Sequence, residues 1–172
     1  MNRLLADELT AISQYMVHSE MCDNWGYEKL HKAIEHQAMD EMHHAEWLIQ
    51  RIIFFEGAPI VSKLNPLKIG KSVLEMVTVD QADELDAIRA YNAAIRLAQE
   101  ADDQATADLL RKILLMEEGH VDWASGRAIR SNRWGSPIIS VTRPRARQVR
   151  WRVPQRKKTI PRHLSVQSSL TQ

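Results

Sequence analysis

The chain has 172 residues, 44% apolar and 26% charged, with only 6 Gly and 6 Pro. That supports one domain with a sizeable core and leaves little room for two. No apolar run approaches the roughly 18 residues of a membrane-spanning helix, so no membrane partner is expected. The opening Met1-Asn2-Arg3-Leu4-Leu5-Ala6-Asp7-Glu8 turns acidic too early for a secretory leader. A single cysteine, Cys22, excludes an internal disulfide framework and a Cys-rich zinc site, and fits a reducing, cytoplasmic setting. The net charge of +1 conceals an asymmetry: residues 1–124 hold 11 Lys+Arg against all 22 Asp+Glu, whereas residues 125–172 hold the other 12 basic residues and no acid. The two segments, 1–124 and 125–172, are therefore read separately.

Residues 1–124 predict helices throughout. A first helix spans about Asn2 to Asn24, with Leu4 or Leu5, Glu8, Ala11 or Ile12, Tyr15, His18 and Cys22 on one face, and Gly26 closing it. A second covers about Tyr27 to Phe55. Leu30, Ile34, Ala38 or Gln37, Glu41, His44 or Ala45, Leu48, Ile52 and Phe55 face inward, and Gly57-Ala58-Pro59 ends it. The stretch from Glu56 to Val73 shows no clear period and is long enough, at ~3.3 Å per residue, to run back along the helix before it. A third helix is expected over Asp80–Ala101, with Asp86, Ala90, Ala93, Leu97 and Ala101 on its stripe. The fourth starts near Thr106, with Leu110, Ile113, Glu117, His120 and Ala124 in register. No internal repeat enters this reading. The expected fold is all-α, an antiparallel four-helix bundle with a long crossover between helices 2 and 3.

Three of these stripes carry ionisable residues where Leu would be expected: Glu8 on the first, Glu41 and His44 on the second, Glu117 and His120 on the fourth. An unpaired buried carboxylate costs several kcal/mol, so these groups need a common partner, and a pair of divalent cations is the natural one. A Glu and a His three residues apart project from one helix side, separated by ~4.5 Å of rise. Two such pairs facing each other make a mixed carboxylate–imidazole shell suited to Fe(II). A third Glu-x-x-His, Glu28–His31, is turned toward solvent by ~220° relative to Glu41. Tyr15 lies two turns from Glu8, either as a core aromatic or as a group that hydrogen-bonds a ligand carboxylate or donates an electron. His36 and Asp40, one turn apart, read as solvated or as iron binders in transit. Met42 points ~100° away from Glu41, fit for a subunit contact or for ligating haem iron.

With those residues in hand, Met1 to about Trp123 strongly resembles bacterioferritin, a ferritin-like di-iron family. The resemblance rests on Asn2-Arg3-Leu4-Leu5-Ala6-Asp7-Glu8-Leu9-Thr10-Ala11-Ile12-Ser13-Gln14-Tyr15, on Asp40-Glu41-Met42-His43-His44-Ala45 and on Glu117-Glu118-Gly119-His120-Val121-Asp122-Trp123. It implies iron storage in a cage of 24 like subunits, oxidation of Fe(II) at a di-iron centre inside each bundle, haem b held between two subunits, and a ferredoxin-type reductant for iron release. It casts Glu8, Glu41, His44, Glu117 and His120 as ferroxidase ligands, with Glu41 and Glu117 bridging. Met42 becomes the axial haem ligand, and His36 with Asp40 an inner-surface iron site. The same resemblance aligns the family's third-helix glutamate with Ala93. Three carboxylates would then face two Fe(II), occupancy beside His120 would be weak, and a non-catalytic structural or haem-bearing subunit co-assembling with a complete partner becomes the alternative.

From Ser125-Gly126 onward the family pattern gives way to a Pro- and Arg-rich basic segment with Trp134 and Trp151 interleaved. Three readings stay open for it: a change of reading frame after Ala124, a disordered tail, or an arm that neutralises nucleic-acid phosphates.

Overall fold

The computed structural model describes the backbone of residues 1–133 and side chains as far as Gly126. The basic segment beyond Arg133, on which the three readings of the tail bear, lies outside the described residues. Those described form four helices and no strand: α1 (Asn2–Asn24), α2 (Glu28–Phe54), α3 (Val73–Glu100) and α4 (Gln104–Arg133). None is long and apolar enough to cross a membrane.

Two hairpins, α1 with α2 and α3 with α4, pack on each other through α1 against α3 and α2 against α4. Contacts across the hairpins give the directions. Tyr15 meets Glu84 while Tyr91 meets Glu8, and Arg51 meets Asp103 while Asp40 meets His120. Neighbouring helices are therefore antiparallel, and α2 and α3 run parallel, as the crossover length predicts. The crossover is fastened to α1 in strict order along both segments. Ile60 N–H donates to Asn2 (3.0 Å), Asn65 N–H to Thr10 (2.8 Å), Lys68 N–H to Gln14 (2.9 Å) and Gly70 N–H to His18 Nε2 (3.0 Å). Gly70 is required there, since a Cβ would stand 2.4 Å from the backbone nitrogen of Met76.

Helix ends explain where expectation and structure part. Gly26, at φ 82°, closes α1 as predicted. At the ends of α2 and α3, however, Glu56 and Asp102 take the left-handed position (φ 56° each), and the next N–H reaches back to Ile52 O and Ala98 O at 2.9 Å. Each non-glycine residue there costs roughly 1 kcal/mol. α3 starts at Val73, seven residues before the expected Asp80. Ser72 caps it by accepting from Glu75 N–H (3.2 Å), and Glu75 reaches back to Lys71 N–H (2.9 Å). α4 runs through Ser125 and Gly126 to Arg133, so the change of composition at Ala124 does not end the helix. Asp103 caps its start, accepting from Thr106 N–H (3.0 Å) and from Arg51 (2.7 Å).

Two apolar clusters fill the interior. One joins Leu5, Leu48, Ile52, Tyr91, Ile95, Leu110 and Ile113, the other Tyr15, Cys22, Ile34, Ala38 and Met76. The inward faces of α1, α2 and α4 are those predicted, except that Phe55 is exposed. That of α3 is not. Its buried residues are Met76, Val77, Asp80, Glu84, Tyr91, Ile95 and Ala98, whereas Asp86, Leu97 and Ala101 are exposed, Leu97 by 66%. The expected stripe sits about two residues, or ~200°, round the helix. Alanines occur all round α3 and so mark no face, and the acidic residues that do face inward read as solvated ones.

Candidate metal centre

Between the two clusters, six ionisable side chains meet in the interior, each at most 7% exposed. They form two overlapping sets, Glu8, Glu41, His44 and Glu117 in one and Glu41, Glu84, Glu117 and His120 in the other. Within each set one ligand atom per residue lies within 4.8 Å of all the others. Glu41 and Glu117 belong to both, and each divides its oxygens between them. Glu41 Oε2 is 2.8 Å from His44 Nδ1 and its Oε1 is 3.0 Å from His120 Nδ1. Glu117 Oε1 is 3.1 Å from His44 Nδ1 and its Oε2 is 3.4 Å from His120 Nδ1. Glu8 closes the first set at 3.4 Å from His44, and Glu84 the second at 3.5 Å from His120.

The third-helix carboxylate is therefore Glu84, not Ala93, and the expected shortfall of one carboxylate is corrected. Ala93 lies half-buried and outside both sets, one consequence of reading α3 on the wrong face. A repeat in the chain marks the right one. Ala6-Asp7-Glu8-Leu9-Thr10-Ala11-Ile12-Ser13-Gln14-Tyr15 recurs 76 residues later as Ala82-Asp83-Glu84-Leu85-Asp86-Ala87-Ile88-Arg89-Ala90-Tyr91, identical at seven of ten positions. The same offset carries Glu41 to Glu117 and His44 to His120. The two sets are thus related by an approximate two-fold exchange of the hairpins. Each repeat's tyrosine donates to the other repeat's terminal carboxylate, Tyr15 to Glu84 and Tyr91 to Glu8. The first of these is the ligand-carboxylate hydrogen bond considered for Tyr15. Tyr91 escaped the sequence reading altogether.

The electrostatics are those of a site that awaits cations. Burial pushes the Glu8 and Glu84 carboxyls well above the ordinary range. Burial and the adjacent Glu117 would raise Glu41 too, but the imidazoles of His120 and His44 hold it low; the same two imidazoles outweigh the burial of Glu117 and hold it at about 2. Burial disfavours charge on the imidazoles as well, yet Glu117, Glu41 and Glu8 push His44 up to about 12, and Glu117, Glu41 and Glu84 push His120 up likewise. Even so, Glu41 Oε1, both Glu117 oxygens and His120 Nδ1 are buried without a hydrogen-bond partner. Carboxylate oxygens that converge in the interior with no well-aligned hydrogen bond are suited to a dication. Four carboxylates balance the charge of two divalent ions, so the residues present fit a dinuclear centre.

The remaining residues named from the sequence lie around this centre. Asp40 accepts from His120 Nε2 (3.4 Å) and pairs with His36 Nδ1 (3.0 Å), whose side chain is largely exposed. These two residues thus form a polar line from the surface to the metal set. Met42 is on the outer side of α2, 46% exposed. Glu28 is exposed as expected and pairs with Lys32 at 2.6 Å.

Such a bundle, with a dinuclear carboxylate–histidine set at its centre, defines the ferritin-like class, and the ferritin-like domain family matches residues 1–128. A bacterioferritin of Brucella melitensis is 38% identical over 123 residues, 72% of this chain and 76% of the relative. One of Rhodobacter capsulatus is 40% identical with the same coverage, and one of Mycobacterium bovis is 35% identical over 147 residues, 84% of this chain and 92% of the relative. The chain belongs to the bacterioferritin family.

Proposed function

We propose that this chain is an iron-storage subunit that takes up Fe(II) and oxidises it at the centre formed by Glu8, Glu41, His44, Glu84, Glu117 and His120. The observation that carries this reading is the division of each bridging carboxylate's oxygens between two ligand sets. Iron supplies the electrons, which pass to dioxygen or peroxide. The protein's own part is to neutralise two divalent charges, to exclude bulk water and to hold the ligands. Tyr15 and Tyr91 act as positioning residues that fix the terminal carboxylates, and Tyr15 is also placed to give up an electron. His36 and Asp40 form the route by which iron passes between the storage surface and the centre. In the assembled protein, subunits of this chain enclose a cage in the cytoplasm. Met42 supplies the axial ligand to haem b shared by two subunits, and a ferredoxin-type reductant returns stored iron to Fe(II).

The alternative is a non-catalytic structural or haem-bearing subunit that co-assembles with a complete partner, and its ground is a missing third-helix carboxylate. The presence of Glu84 beside His120 speaks against it. Stopped-flow absorbance separates the two: metal-free protein is loaded anaerobically with Fe(II) and mixed with oxygenated buffer. A fast ferric phase that saturates near two irons per chain is expected, and its absence leaves only the scaffold.

A further inference from the structure

The approximate two-fold exchange that relates the ligand sets fails at a pair of side chains in contact with the two ligand imidazoles. His120 Nε2, on the side of the ring away from the metal set, lies 3.4 Å from Asp40 Oδ2. Residue 116 is related to residue 40 by the same 76-residue offset, and there His44 Nε2 lies 3.4 Å from Met116 Sδ. Equal positions at equal distances thus hold a carboxylate in one half and a thioether in the other. A thioether accepts a hydrogen bond weakly and carries no charge. A carboxylate behind a metal-binding imidazole fixes its tautomer and makes the ring a stronger donor, and losing such a partner typically costs 10–100-fold in metal affinity.

We propose that the two metal positions are unequal and filled in order, the His120 position first and the His44 position second, and that Met116 is the residue that weakens the second. This inference rests on the dinuclear reading above. The carboxylates and tyrosines close to the two rings are matched across the exchange: Glu8 with Glu84, Tyr91 with Tyr15, and two carboxylates shared by both; Trp47, whose ring lies 5.8 Å from that of His44, has Trp123 at the equivalent position. Asp40 also faces His36, but that side chain is largely exposed, so most of the carboxylate's charge remains available to His120. Met116 is therefore a positioning residue, acting on the metal through His44.

The test is titration of the metal-free full-length chain with Co(II), following both visible absorbance and heat. Two steps are expected, the first about tenfold or more tighter than the second. His44→Ala should remove the weaker step only. Met116→Asp should tighten the weaker step by about tenfold and bring the two together, whereas Met116→Leu should leave them apart. A merely packing role for Met116 predicts the reverse, with Asp the more damaging replacement. Should Met116→Asp fail to fold, Asp40→Met is the second arm, expected to weaken the tighter step until both coincide. Two equal steps in the unaltered chain overturn the inequality while leaving the dinuclear centre intact. No Co(II) binding at all overturns both.

Discussion

Tyr15 on α1 donates its phenol hydrogen to Glu84 on α3, so a carboxylate that shows no partner along its own helix is held from the facing one. Burial keeps that phenol well above its ordinary pKa and therefore a donor at every working pH. Replacing Tyr15 by Phe leaves Glu84 without its hydroxyl donor and should cost about 1–3 kcal/mol of stability in the metal-free protein. Calorimetric unfolding with and without Zn(II) checks it. The loss should shrink on metal loading, because a bound cation replaces the missing donor.

Identity of the third-helix ligand is tested by exchanging the two positions at issue. Glu84→Ala should lower metal stoichiometry from about two to about one per chain by plasma emission analysis, because Glu84 completes only the set that contains His120. Ala93→Glu should leave stoichiometry unchanged. A gain of metal in the latter variant would show that position 93, not Glu84, faces the centre.

Loading should release protons. His44, pushed up to about 12, and His120, raised by Glu117, Glu41 and Glu84, carry protons at neutral pH in the metal-free protein, and a bound metal requires both Nδ1 atoms neutral. Protons are thus lost on binding, so affinity rises with pH and falls with acid, by about tenfold per pH unit for each proton displaced. Isothermal titration with Zn(II) in buffers of different ionisation enthalpy should count about two protons or more per loaded pair. Protons on the raised Glu8 and Glu84 carboxyls add to that number.

Gly70→Ala should loosen the start of α3. The added methyl would overlap the Met76 backbone and displace the N–H that His18 accepts. A loss of about 1–3 kcal/mol is expected, read as a lower Tm, with earlier hydrogen exchange at the beginning of α3.

Those residues whose chemistry and spacing agree were legible before any coordinates. Glu41 with His44 and Glu117 with His120 stand on faces otherwise marked by Leu, Ile and Ala, so charge at those positions signals a buried ligand. Glu84 offers the same chemistry on a helix whose alanines point every way, and periodicity alone selects the opposite face. What identifies it is its context: the Ala-Asp-Glu-Leu-x-Ala-Ile-x-x-Tyr pattern shared with Glu8. The early start of α3 was written in Ser72 and Glu75, a capping pair inside a stretch with no period of its own. The left-handed Glu56 had no such signal, since glutamate is at home in the body of a helix, whereas the pair Asp102-Asp103 reads as a helix break, aspartate being a poor helix former that visits the left-handed region.

The bridging carboxylates come from different hairpins, Glu41 from the first and Glu117 from the second. A metal ion held between them would act as a rivet: the halves could not slide or swing apart without breaking its bonds to both. Metal loading and mechanical integrity would thereby be linked, and a starved subunit would be the one most prone to breathe along the seam between its halves.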